Sequence, residues 1–355
     1  MTDANETLAP ARLEPIFSPR PWGSLSLDPF FPEKSNLTEP LGEAWMTGSE
    51  CVFASGPFEG KKLGEVWRNM PTGWAGTQVD RDAPFPLLIK FIFAEQKLSV
   101  QVHPGDDYAS RNEPSTGGRG KTEMWYAVRA RQGAEVLVGL KPGVTLETFE
   151  RAIANGTAED RLEHILLRAG EAIFVPAGTA HTIGPGLILC EIQQNSDITY
   201  RVYDYNRRDA QGKARDLHIE KALQVIHFGE QSGGKINPVR IERRGITETY
   251  FVACRYFATE KWDFAERVAA ASSREHFDLL IVLEGWGSIR WNSDSVRYGP
   301  SETWLVPAAL GAYQLIPEAA TSLLRTYVPA HIDEFVRKLA EQGVPESDWS
   351  RLVYP

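Results

Sequence analysis

The segment GEAIFVPAGTAHTIGPGLILCEIQQNSDITYR, residues 170–201, decides the predicted fold of this chain. Its apolar runs at 173–175 and 187–189 are short, contain β-branched residues and are bounded by Gly and Pro. Such runs favour strands over helices, so we interpret the segment as a hairpin of two antiparallel strands. The spacing G-x5-P-x-G-x2-H places Pro176 in the turn, where its fixed φ helps to hold His181 rigidly at the mouth of a β-barrel.

Side chains that can join this histidine at a metal ion lie upstream, in LSVQVHP (98–104) and GKTEMWY (120–126). Alternate residues of a strand share a face, so Gln101 and His103 project together, and Glu123 can reach the same interior from the next strand. Two imidazoles, a carboxylate and an amide oxygen suit Zn²⁺ or another divalent first-row ion, with room for water or substrate.

Each of these residues also has an ordinary alternative role. A single buried histidine is more often a satisfied core or rim residue than a metal ligand, and Glu123 alone is compatible with a surface charge. The co-occurrence of Q-x-H, K-T-E and P-x-G-x2-H in chain order, on predicted strands, favours the metal site over these alternatives.

Composition limits the class of protein. The chain has 355 residues, of which 42% are hydrophobic and 24% charged, so it can bury a large core in two domains or one double structure. The formal net charge of -9 argues against a nucleic acid or an anionic membrane as partner, because both select basic surfaces. A small anionic substrate stays compatible with this charge if Lys and Arg side chains are concentrated in one pocket.

The sequence predicts a cytoplasmic protein. Cys51, Cys190 and Cys254 are scattered and lack C-x-x-C spacing, which favours reduced thiols over disulfides. The first 15 residues, MTDANETLAPARLEP, have neither the basic start nor the apolar run of a signal peptide. No apolar stretch approaches the roughly 20 residues that a membrane-spanning helix needs.

Most of the remaining chain has the pattern of strands and turns. The runs at 86–93 and 98–103, joined by a turn at 94–97, predict a hairpin of two buried strands, and the polar segment 106–120 predicts a mobile loop beside the site. Helical periodicity is confined to a few places, which are residues 145–154, 157–166, 217–227 and 331–342, with a further short helix within 64–76.

The C-terminal part repeats the pattern of residues 170–177. Residues 281–290 and 299–308 resemble the strands and turn around that segment, but the position five residues after Pro307 is Ala312, where the first copy has histidine. This predicts a degenerate second barrel that keeps its packing role without a metal. We therefore predict a metal-binding catalytic domain at 1–235 with a small helical insertion, and a metal-free domain at 236–355.

These motifs carry a family resemblance. The element G-x5-P-x-G-x2-H resembles the second cupin motif, and the set QVHP, GKTE, PAGTAH and EIQQNSDITYRVYDYNR is similar to the short bacterial type I mannose-6-phosphate isomerases, over roughly residues 15–330. The resemblance implies a mainly β, double-cupin fold with two jelly-roll barrels and a few inserted short helices. It also implies a zinc-dependent isomerase that interconverts mannose 6-phosphate and fructose 6-phosphate.

Carried onto this sequence residue by residue, the resemblance assigns roles to particular side chains. The family's metal ligands fall on Gln101, His103, Glu123 and His181, and its active-site groups fall on Arg201, Asp197 and Lys121. We add Lys97 and Ser99 as candidates for phosphate contact. In the segment GEAWMTG (42–48), Ala44 and Met46 depart from the family's Ser-Trp-Glu pattern, which predicts an altered pocket wall.

The implied reaction explains why these residue types are needed. Moving a proton between C1 and C2 through an enediol requires a base near the carbon and stabilisation of a developing oxyanion. Lys121 and Arg201 supply positive charge, and Asp197 either orients Arg201 or takes part in proton transfer; the sequence does not single out the base. Arg201 stacked among tyrosines and Asp197 capping a turn are the ordinary alternatives.

Two other functions fit part of the pattern. Two histidines and a carboxylate are also the ligand set of non-haem iron cupin oxygenases, although Gln101, Lys121 and Arg201 suit a phosphosugar better. A non-catalytic, metal-dependent sugar-binding protein would keep the fold and bind ligand without turnover. The sequence gives no indication of the oligomeric state, the metal loaded or the exact sugar.

Overall fold

A computed structural model describes residues 7–208, 212–229 and 233–354 of the chain. The described residues are mainly β-structure with short helices, as the sequence predicts. The strands, in chain order, are β1 Ala11–Leu13, β2 Ile16–Ser24, β3 Leu41–Trp45, β4 Leu87–Ala94, β5 Val100–Val102, β6 Glu123–Ala130, β7 Glu135–Leu140, β8 Leu162–Leu166, β9 Ala172–Val175, β10 His181–Ile183, β11 Leu187–Gln194, β12 Tyr200–Tyr203, β13 Gly234–Lys235, β14 Val239–Arg243, β15 Ile246–Cys254, β16 Ala258–Phe264, β17 Val268–Ala271, β18 Asp278–Glu284, β19 Gly287–Trp291, β20 Asp294–Tyr298, β21 Thr303–Val306, β22 Ala312–Pro317, β23 Thr321–Tyr327 and β24 Val353–Tyr354.

The α-helices are short. They are α1 Leu63–Trp67, α2 Thr72–Ala75, α3 Asp106–Asn112, α4 Leu146–Ala154, α5 Ile219–Val225, α6 Ile332–Glu341 and α7 Glu346–Trp349, with single 3-10 turns at Pro32–Lys34, Pro114–Thr116, Ala158–Arg161 and Ser350–Leu352. Among the described residues, no helix has both the length and the apolar character needed to cross a bilayer.

Helices α1, α2, α4, α5 and α6 confirm the helical predictions, and two other local predictions are wrong. Residues 157–166 form a 3-10 turn followed by strand β8, because β8 pairs with β7 and the sheet provides the hydrogen bonds that a helix would have made internally. The predicted loop 106–120 begins with helix α3. Its first turn carries Asp106 and Asp107, which favour the helix N-terminus, and Ala109 is buried beneath it.

Contacts between Cα atoms divide the described chain into two compact units. One contains Phe17–Ala44 and Leu88–Lys235; the other contains the residues up to Ile16, Trp45–Leu87 and those from Ile236 onward. One division between the units falls after Lys235, and residues 45–87 belong to the unit formed mainly by the C-terminal residues. Strand β1 pairs with β21, which places the start of the chain in the unit formed mainly by the C-terminal residues.

The unit with Phe17–Ala44 and Leu88–Lys235 forms the first barrel from two sheets. One sheet has the order β13-β9-β6-β11-β4-β3-β2, and the other has the order β12-β5-β10-β7-β8. Its interior contains a cluster of large apolar side chains, among them Trp22, Trp125 and Val175, packed between the sheets. The strand pairs that carry the candidate ligands belong to both sheets, so closing the barrel brings those ligands together.

Two predicted hairpins are wrong in their pairing, although their strands exist. Strands β9 and β11 are not direct neighbours, because β6 lies between them and pairs with both. Strands β4 and β5 belong to different sheets. In each case the short apolar run predicts the strand correctly, whereas the partner depends on how the chain crosses from one sheet to the other, which local pattern does not encode.

The other unit contains the second barrel, and it repeats the first. Its eight-stranded sheet places β18 between β21 and β23, with β16 beyond β23, just as the first barrel places β6 between β9 and β11, with β4 beyond β11. The four-stranded sheet β17-β22-β19-β20 faces its own apolar cluster, which includes Trp262, Leu280 and Tyr313. The described structure therefore has two barrels built on one strand order, as the sequence repeat predicts.

Candidate metal centre

Three segments of the first barrel are tied together by backbone hydrogen bonds at the candidate metal centre. The turn before β10 donates from Gly178 N to His103 O at 2.8 Å. Gly178 has φ of +83°, a conformation that favours glycine, and a Cβ there would lie 2.6 Å from the ring of His227. Lys121 N donates to Pro104 O at 3.0 Å, and His181 is in register with Gln101.

The two histidines have the same hydrogen-bonding arrangement. His103 Nδ1 lies 2.8 Å from Ile198 O, and His181 Nδ1 lies 2.9 Å from Thr179 O. A carbonyl oxygen only accepts, so each Nδ1 carries the proton and donates it. Each Nε2 therefore presents a lone pair, and this is how metal-ligating histidines are usually oriented.

Glu123 completes a cluster of three buried donors. Its Oε1 lies 3.8 Å from His103 Nε2 and 3.5 Å from His181 Nε2. One ligand atom from each of the three residues lies within 4.8 Å of the other two. His103 Nε2 and Glu123 Oε1 are buried and have no hydrogen-bond partner in the described structure. Unsatisfied buried polar atoms are costly, and a divalent cation between them would satisfy both, so these residues fit a metal ion.

Gln101 is the fourth predicted ligand and borders the same point. Its Nε2 lies 3.3 Å from His181 Nε2, and Ser99 Oγ donates to its Oε1 at 3.2 Å. Because the oxygen and nitrogen of a side-chain amide exchange by a simple flip, turning this amide over directs its oxygen at the histidine and lets Nε2 donate to Ser99 Oγ. The structure thus brings all four predicted ligands together.

Burial keeps both imidazoles in the neutral form that binds metals. It lowers the pKa of His181 to about 4, with Lys121 adding to the effect against the hydrogen bond to Thr179 O. It lowers the pKa of His103 well below its ordinary value, helped by the positive charge of Lys121. Since a metal binds only the deprotonated nitrogen, these shifts leave both Nε2 atoms available at neutral pH.

A polar cavity of about 430 Å³ opens beside the metal donors. Five cationic and three acidic side chains line it, together with Gln101 and apolar or hydroxyl groups. The charged members are Arg20, Lys90, Lys121, Arg201, Arg215, Glu43, Glu191 and Asp197. The chain as a whole has a net charge of -9, so this excess of cations is the local concentration that an anionic substrate requires.

Lysine and carboxylate side chains alternate at the base of this cavity. Lys121 Nζ lies 2.9 Å from Glu123 Oε2 and 3.6 Å from Glu191 Oε1. Lys90 Nζ lies 2.9 Å from Asp197 Oδ1 and 3.9 Å from Glu191 Oε2. Burial disfavours the charge on each lysine, but the neighbouring carboxylates outweigh it and raise both pKa values. Both ammonium groups are therefore positively charged at neutral pH.

The two carboxyls nearest these lysines differ in their acidity. Glu191 is buried, and this burial, with the charge of Glu123 nearby, raises its pKa despite the opposing charge of Lys121. Trp125 Nε1 donates to Glu191 Oε1 at 3.3 Å. Partial burial also disfavours the charge on Asp197, but Lys90 and Lys121 outweigh it and lower its pKa. Asp197 is thus the more firmly ionised of the two.

The three arginines of the cavity differ in their partners. Arg20 donates from Nε and Nη2 to the two carboxylate oxygens of Glu43, at 3.2 and 2.9 Å, and Arg215 is paired with Asp204. Arg201 donates from Nη1 to Asp216 O at 2.9 Å, and its Nε is buried without a partner among the described residues. Burial and the charge of Arg215 lower the pKa of Arg201, so its guanidinium is the one best placed to gain from an incoming anion.

Some sequence predictions lie outside this cavity. Lys97 does not line it, because its ammonium group forms an ion pair with Glu159. Ala44 and Met46 are buried and do not line it either, so the predicted change in the pocket wall does not reach the cavity; Glu43 lines it instead. Ser99 does line it.

Five charged residues that line the cavity are not among those predicted from the sequence: Lys90, Glu191, Arg20, Glu43 and Arg215. Two of them carry a signal that was available. Lys90 is the single charged residue in LLIKFIFA (β4), and Glu191 is the single charged residue in LILCEIQQ (β11). A charged side chain in the middle of a buried strand needs an ion-pair partner or has a function. The arginines lie on segments distant in sequence, and nothing in their local pattern separates them from surface arginines.

The chain is similar in sequence to known mannose-6-phosphate isomerases. Residues 247–328 match the family described as the mannose-6-phosphate isomerase cupin domain. The chain is 34% identical over 314 residues to mannose-6-phosphate isomerase ManA of Bacillus subtilis (strain 168), covering 87% of this chain and 96% of that protein. It is 32% identical over 281 residues to a mannose-6-phosphate isomerase of Streptococcus mutans, covering 78% and 86%.

Solved structures show the same similarity. The crystal structure of a mannose 6-phosphate isomerase from Bacillus subtilis superposes with a TM-score of 0.82 at 31% sequence identity, covering 90% of this chain and 99% of that one. A zinc-bound holo mannose 6-phosphate isomerase superposes with a TM-score of 0.71 at 17% identity over 90% of this chain and 99% of that one, which shows the shared fold.

Proposed function

The chain belongs to the type I mannose-6-phosphate isomerases of the cupin superfamily, and from this premise we propose that it interconverts mannose 6-phosphate and fructose 6-phosphate with a bound divalent metal. One observation carries the proposal: three buried metal donors lie against Gln101 and Lys121, and these two residues line a cavity with an excess of cations. The curated relatives favour an isomerase over an iron oxygenase or a non-catalytic sugar-binding protein.

The metal in this proposal is zinc, held by His103, Glu123, His181 and the amide oxygen of Gln101. Two imidazoles, one carboxylate and one neutral oxygen at a rigid site are donors that Zn²⁺ accepts readily, and other first-row divalent ions accept them too. When bound, a divalent cation would supply Lewis acidity toward the oxygens of the sugar. Ser99 positions the Gln101 amide, since its hydroxyl is 3.2 Å away.

Glu191 is the group to which we assign proton transfer. Its carboxyl lines the cavity, is buried, and has a raised pKa, and a carboxyl whose pKa is nearer to neutrality is the more effective general base and acid. In the forward direction it removes the proton from C2 of the aldose, which leaves an enediolate with negative charge on O1. It then returns this proton to C1 while the hydroxyl proton on O2 passes to O1, which gives the ketose with a hydroxyl group at C1 and its carbonyl group at C2.

Lys121 and Lys90 stabilise the negative charge that forms in this step. Both ammonium groups are buried and ionised and lie within 4 Å of Glu191, so they lie close to the position at which the enediolate develops. Asp197 holds Lys90 in place through its 2.9 Å ion pair. We therefore give Asp197 a positioning role toward Lys90, in place of the contact with Arg201 considered from sequence.

Arg201 is the proposed contact for the substrate phosphate. Its guanidinium lines the cavity and, among the described residues, has no carboxylate partner, in contrast to Arg20 and Arg215. A planar guanidinium donates two parallel hydrogen bonds to phosphate oxygens, and such charge-assisted pairs are strong. The remaining arginines keep the potential of the cavity positive while they anchor their own carboxylates.

The setting of the reaction is also part of the proposal. We propose a cytoplasmic location, supported by the fact that Cys51, Cys190 and Cys254 are buried free thiols, as expected in a reducing compartment. The partner is a small phosphosugar, which fits a cavity of this volume and charge.

The experiment that tests this function combines metal analysis with turnover. We would quantify the metal in the purified protein and assay conversion of mannose 6-phosphate to fructose 6-phosphate before chelation, after chelation and after zinc is added back. Turnover that is lost on chelation and restored by zinc is expected. A metal-loaded protein without turnover on mannose 6-phosphate would reject the proposal.

A further inference from the structure

A second cationic cavity lies in the second barrel and has a volume of about 620 Å³. Five cationic side chains line it, against one acidic side chain, and Trp262 and edge strand β17 (Val268–Ala271) form its apolar part. The charged members are Arg243, Arg244, Arg267, Arg325, Lys338 and Glu248. A volume of this size suits a small-molecule ligand.

Strand register shows that this cavity is the counterpart of the one in the first barrel. Asp278 has the position in the second barrel that Glu123 has in the first, because each pairs with the valine before the proline of the turn. Glu191 pairs with the residue two positions after Glu123, and Arg325 pairs with the residue two positions after Asp278. In the first barrel, Gln101 pairs with His181, which lies five residues after Pro176. In the second barrel, Ala312 lies five residues after Pro307 and pairs with Ala271. The residues equivalent to Glu191 and Gln101 are therefore Arg325 and Ala271, and both line the second cavity.

At the positions of two candidate metal ligands and of Glu191, the second cavity has two alanines and an arginine. Alanines stand at the positions of Gln101 and His181, and the guanidinium of Arg325 stands where the first barrel has the carboxyl of Glu191. Arg325 Nη1 donates to Glu260 Oε1 at 2.7 Å and Nη2 donates to Asp278 Oδ1 at 2.9 Å, so it is fixed in place. The floor of the cavity is consequently a buried guanidinium held in place by two carboxylates.

Two buried hydrogen-bond donors lie at this floor. Trp262 Nε1 and Arg325 Nε are buried and have no partner in the described structure. Arg243 is paired with Glu248 at 2.8 Å, and Lys338 with Glu260 at 2.9 Å. These ion pairs offset the charges of Arg243, Lys338 and Arg325, so the positive charge left at the cavity is that of the remaining arginines that line it.

Two exposed arginines complete the cavity at its rim. Arg244 and Arg267 are exposed, and no carboxylate among the described residues pairs with either. Guanidinium groups that are not already committed to a carboxylate can each donate two hydrogen bonds to an anion with several oxygens. The small side chains of β17 leave space for such an anion beside the ring of Trp262.

We propose that the second barrel binds a small phosphate monoester in this cavity, with Arg244 and Arg267 on the phosphate and Trp262 with β17 against its organic part. The dianion matches two guanidinium groups that no carboxylate among the described residues pairs with, above a floor with two buried N–H donors, whereas a neutral ligand or a metal cation does not match them. The site is separate from the candidate metal centre, because every lining residue belongs to the unit with the second barrel.

The test uses inorganic phosphate as the probe and isothermal titration calorimetry on the full chain. The variants carry Arg201→Gln, so that the first cavity contributes little. Against this background, Arg244→Gln with Arg267→Gln is expected to weaken phosphate binding about tenfold or more, through the loss of charge-assisted hydrogen bonds. Arg290→Gln is the matched control, since Arg290 is an exposed arginine of the same barrel that does not line the cavity, and it should bind phosphate like the background protein.

Location is tested separately, by soaking crystals of the full chain in tungstate, a phosphate analogue with a strong anomalous signal. An anomalous peak between Arg244 and Arg267 is expected. The proposal would be overturned if the double variant bound phosphate with unchanged affinity. It would also be overturned if a crystal soaked at a saturating tungstate concentration showed no tungstate in this cavity.

Discussion

Asp278 occupies in the second barrel the register position that Glu123 occupies in the first. Glu123 pairs with Val175 and Asp278 with Val306, and each of these valines precedes a proline. Their surroundings differ, because Glu123 Oε1 faces two imidazoles, whereas Asp278 Oδ1 accepts a hydrogen bond from Arg325. One carboxylate position thus serves a candidate metal centre in one barrel and a buried ion pair in the other.

The first prediction is that one divalent metal ion binds per chain, in the first barrel. His181→Ala should lose the metal together with isomerase activity, because the imidazole is one of three buried donors that meet at this point. Metal content by elemental analysis checks this. His164→Ala is the matched control, since His164 is an exposed histidine on β8 of the same barrel, and it should keep metal and activity. A metal-free His181→Ala protein that still turns over would refute the site.

The second prediction separates the two carboxyls of the cavity. Glu191→Gln should lower kcat by about 10²-fold or more at unchanged metal content, because a positioned general base contributes on that scale. Asp197→Asn should have a smaller effect, through misplaced Lys90. Deuterium incorporation from solvent at C1 and C2, followed by NMR, checks the assignment. If Glu191→Gln still exchanges these protons at the wild-type rate, another group carries the proton.

The sequence predicted the grouping of the candidate metal ligands better than it predicted the lining of the cavity. Gln101, His103, Glu123 and His181 lie on short motifs in which strand alternation and turn residues fix where each side chain points, so local pattern was sufficient. Arg20 and Arg215 come from distant segments, and only closure of the barrel brings them to the cavity. Their position depends on long-range pairing, which a local pattern does not specify.

In the fold, too, local pattern predicts the strands but not how they pair. The runs at β9 and β11 predict strands from their composition, and both strands exist. Their pairing was predicted wrongly, because β6 inserts between them, and a hairpin is only the simplest of several arrangements that satisfy two apolar runs. The strand β8 was mistaken for a helix for a related reason: its apolar residues are few, and its hydrogen bonds come from β7.

The third prediction concerns recognition of the phosphate. Arg201→Gln should lower kcat/KM for mannose 6-phosphate about tenfold or more, mainly by raising KM, because a charge-assisted contact to the substrate is lost. Activity on unphosphorylated mannose, where measurable, should change much less. Arg151→Gln is the control, since Arg151 is an exposed arginine on α4, outside the cavity. Equal losses on both sugars would show that Arg201 does not contact the phosphate.

A buried histidine of the second barrel makes stability depend on pH. His276 is fully buried, stacks on Tyr327 with a ring separation of 4.3 Å, and lies 3.4 Å from Asp278 and 3.5 Å from Glu334. Burial opposes its charge, but the nearby carboxylates of Asp278 and Glu334 outweigh burial and raise the pKa of His276 to about 9. The folded protein therefore holds this proton more tightly than the unfolded chain, whose histidines titrate near 6.5.

The fourth prediction follows from that difference. A raised folded-state pKa contributes stability that is fully present below about pH 6.5 and is lost as the pH rises through about 9, and the size of the effect is up to about 3 kcal/mol. Urea unfolding at intervals from pH 6 to pH 9 should show the free energy of unfolding falling across this window. His276→Asn should be less stable at pH 6 and should show a flatter pH dependence. His331→Asn changes a histidine outside this ion-pair cluster and should keep the wild-type pH dependence of the free energy of unfolding. If His276→Asn also kept the wild-type pH dependence, His276 would not be the titrating group.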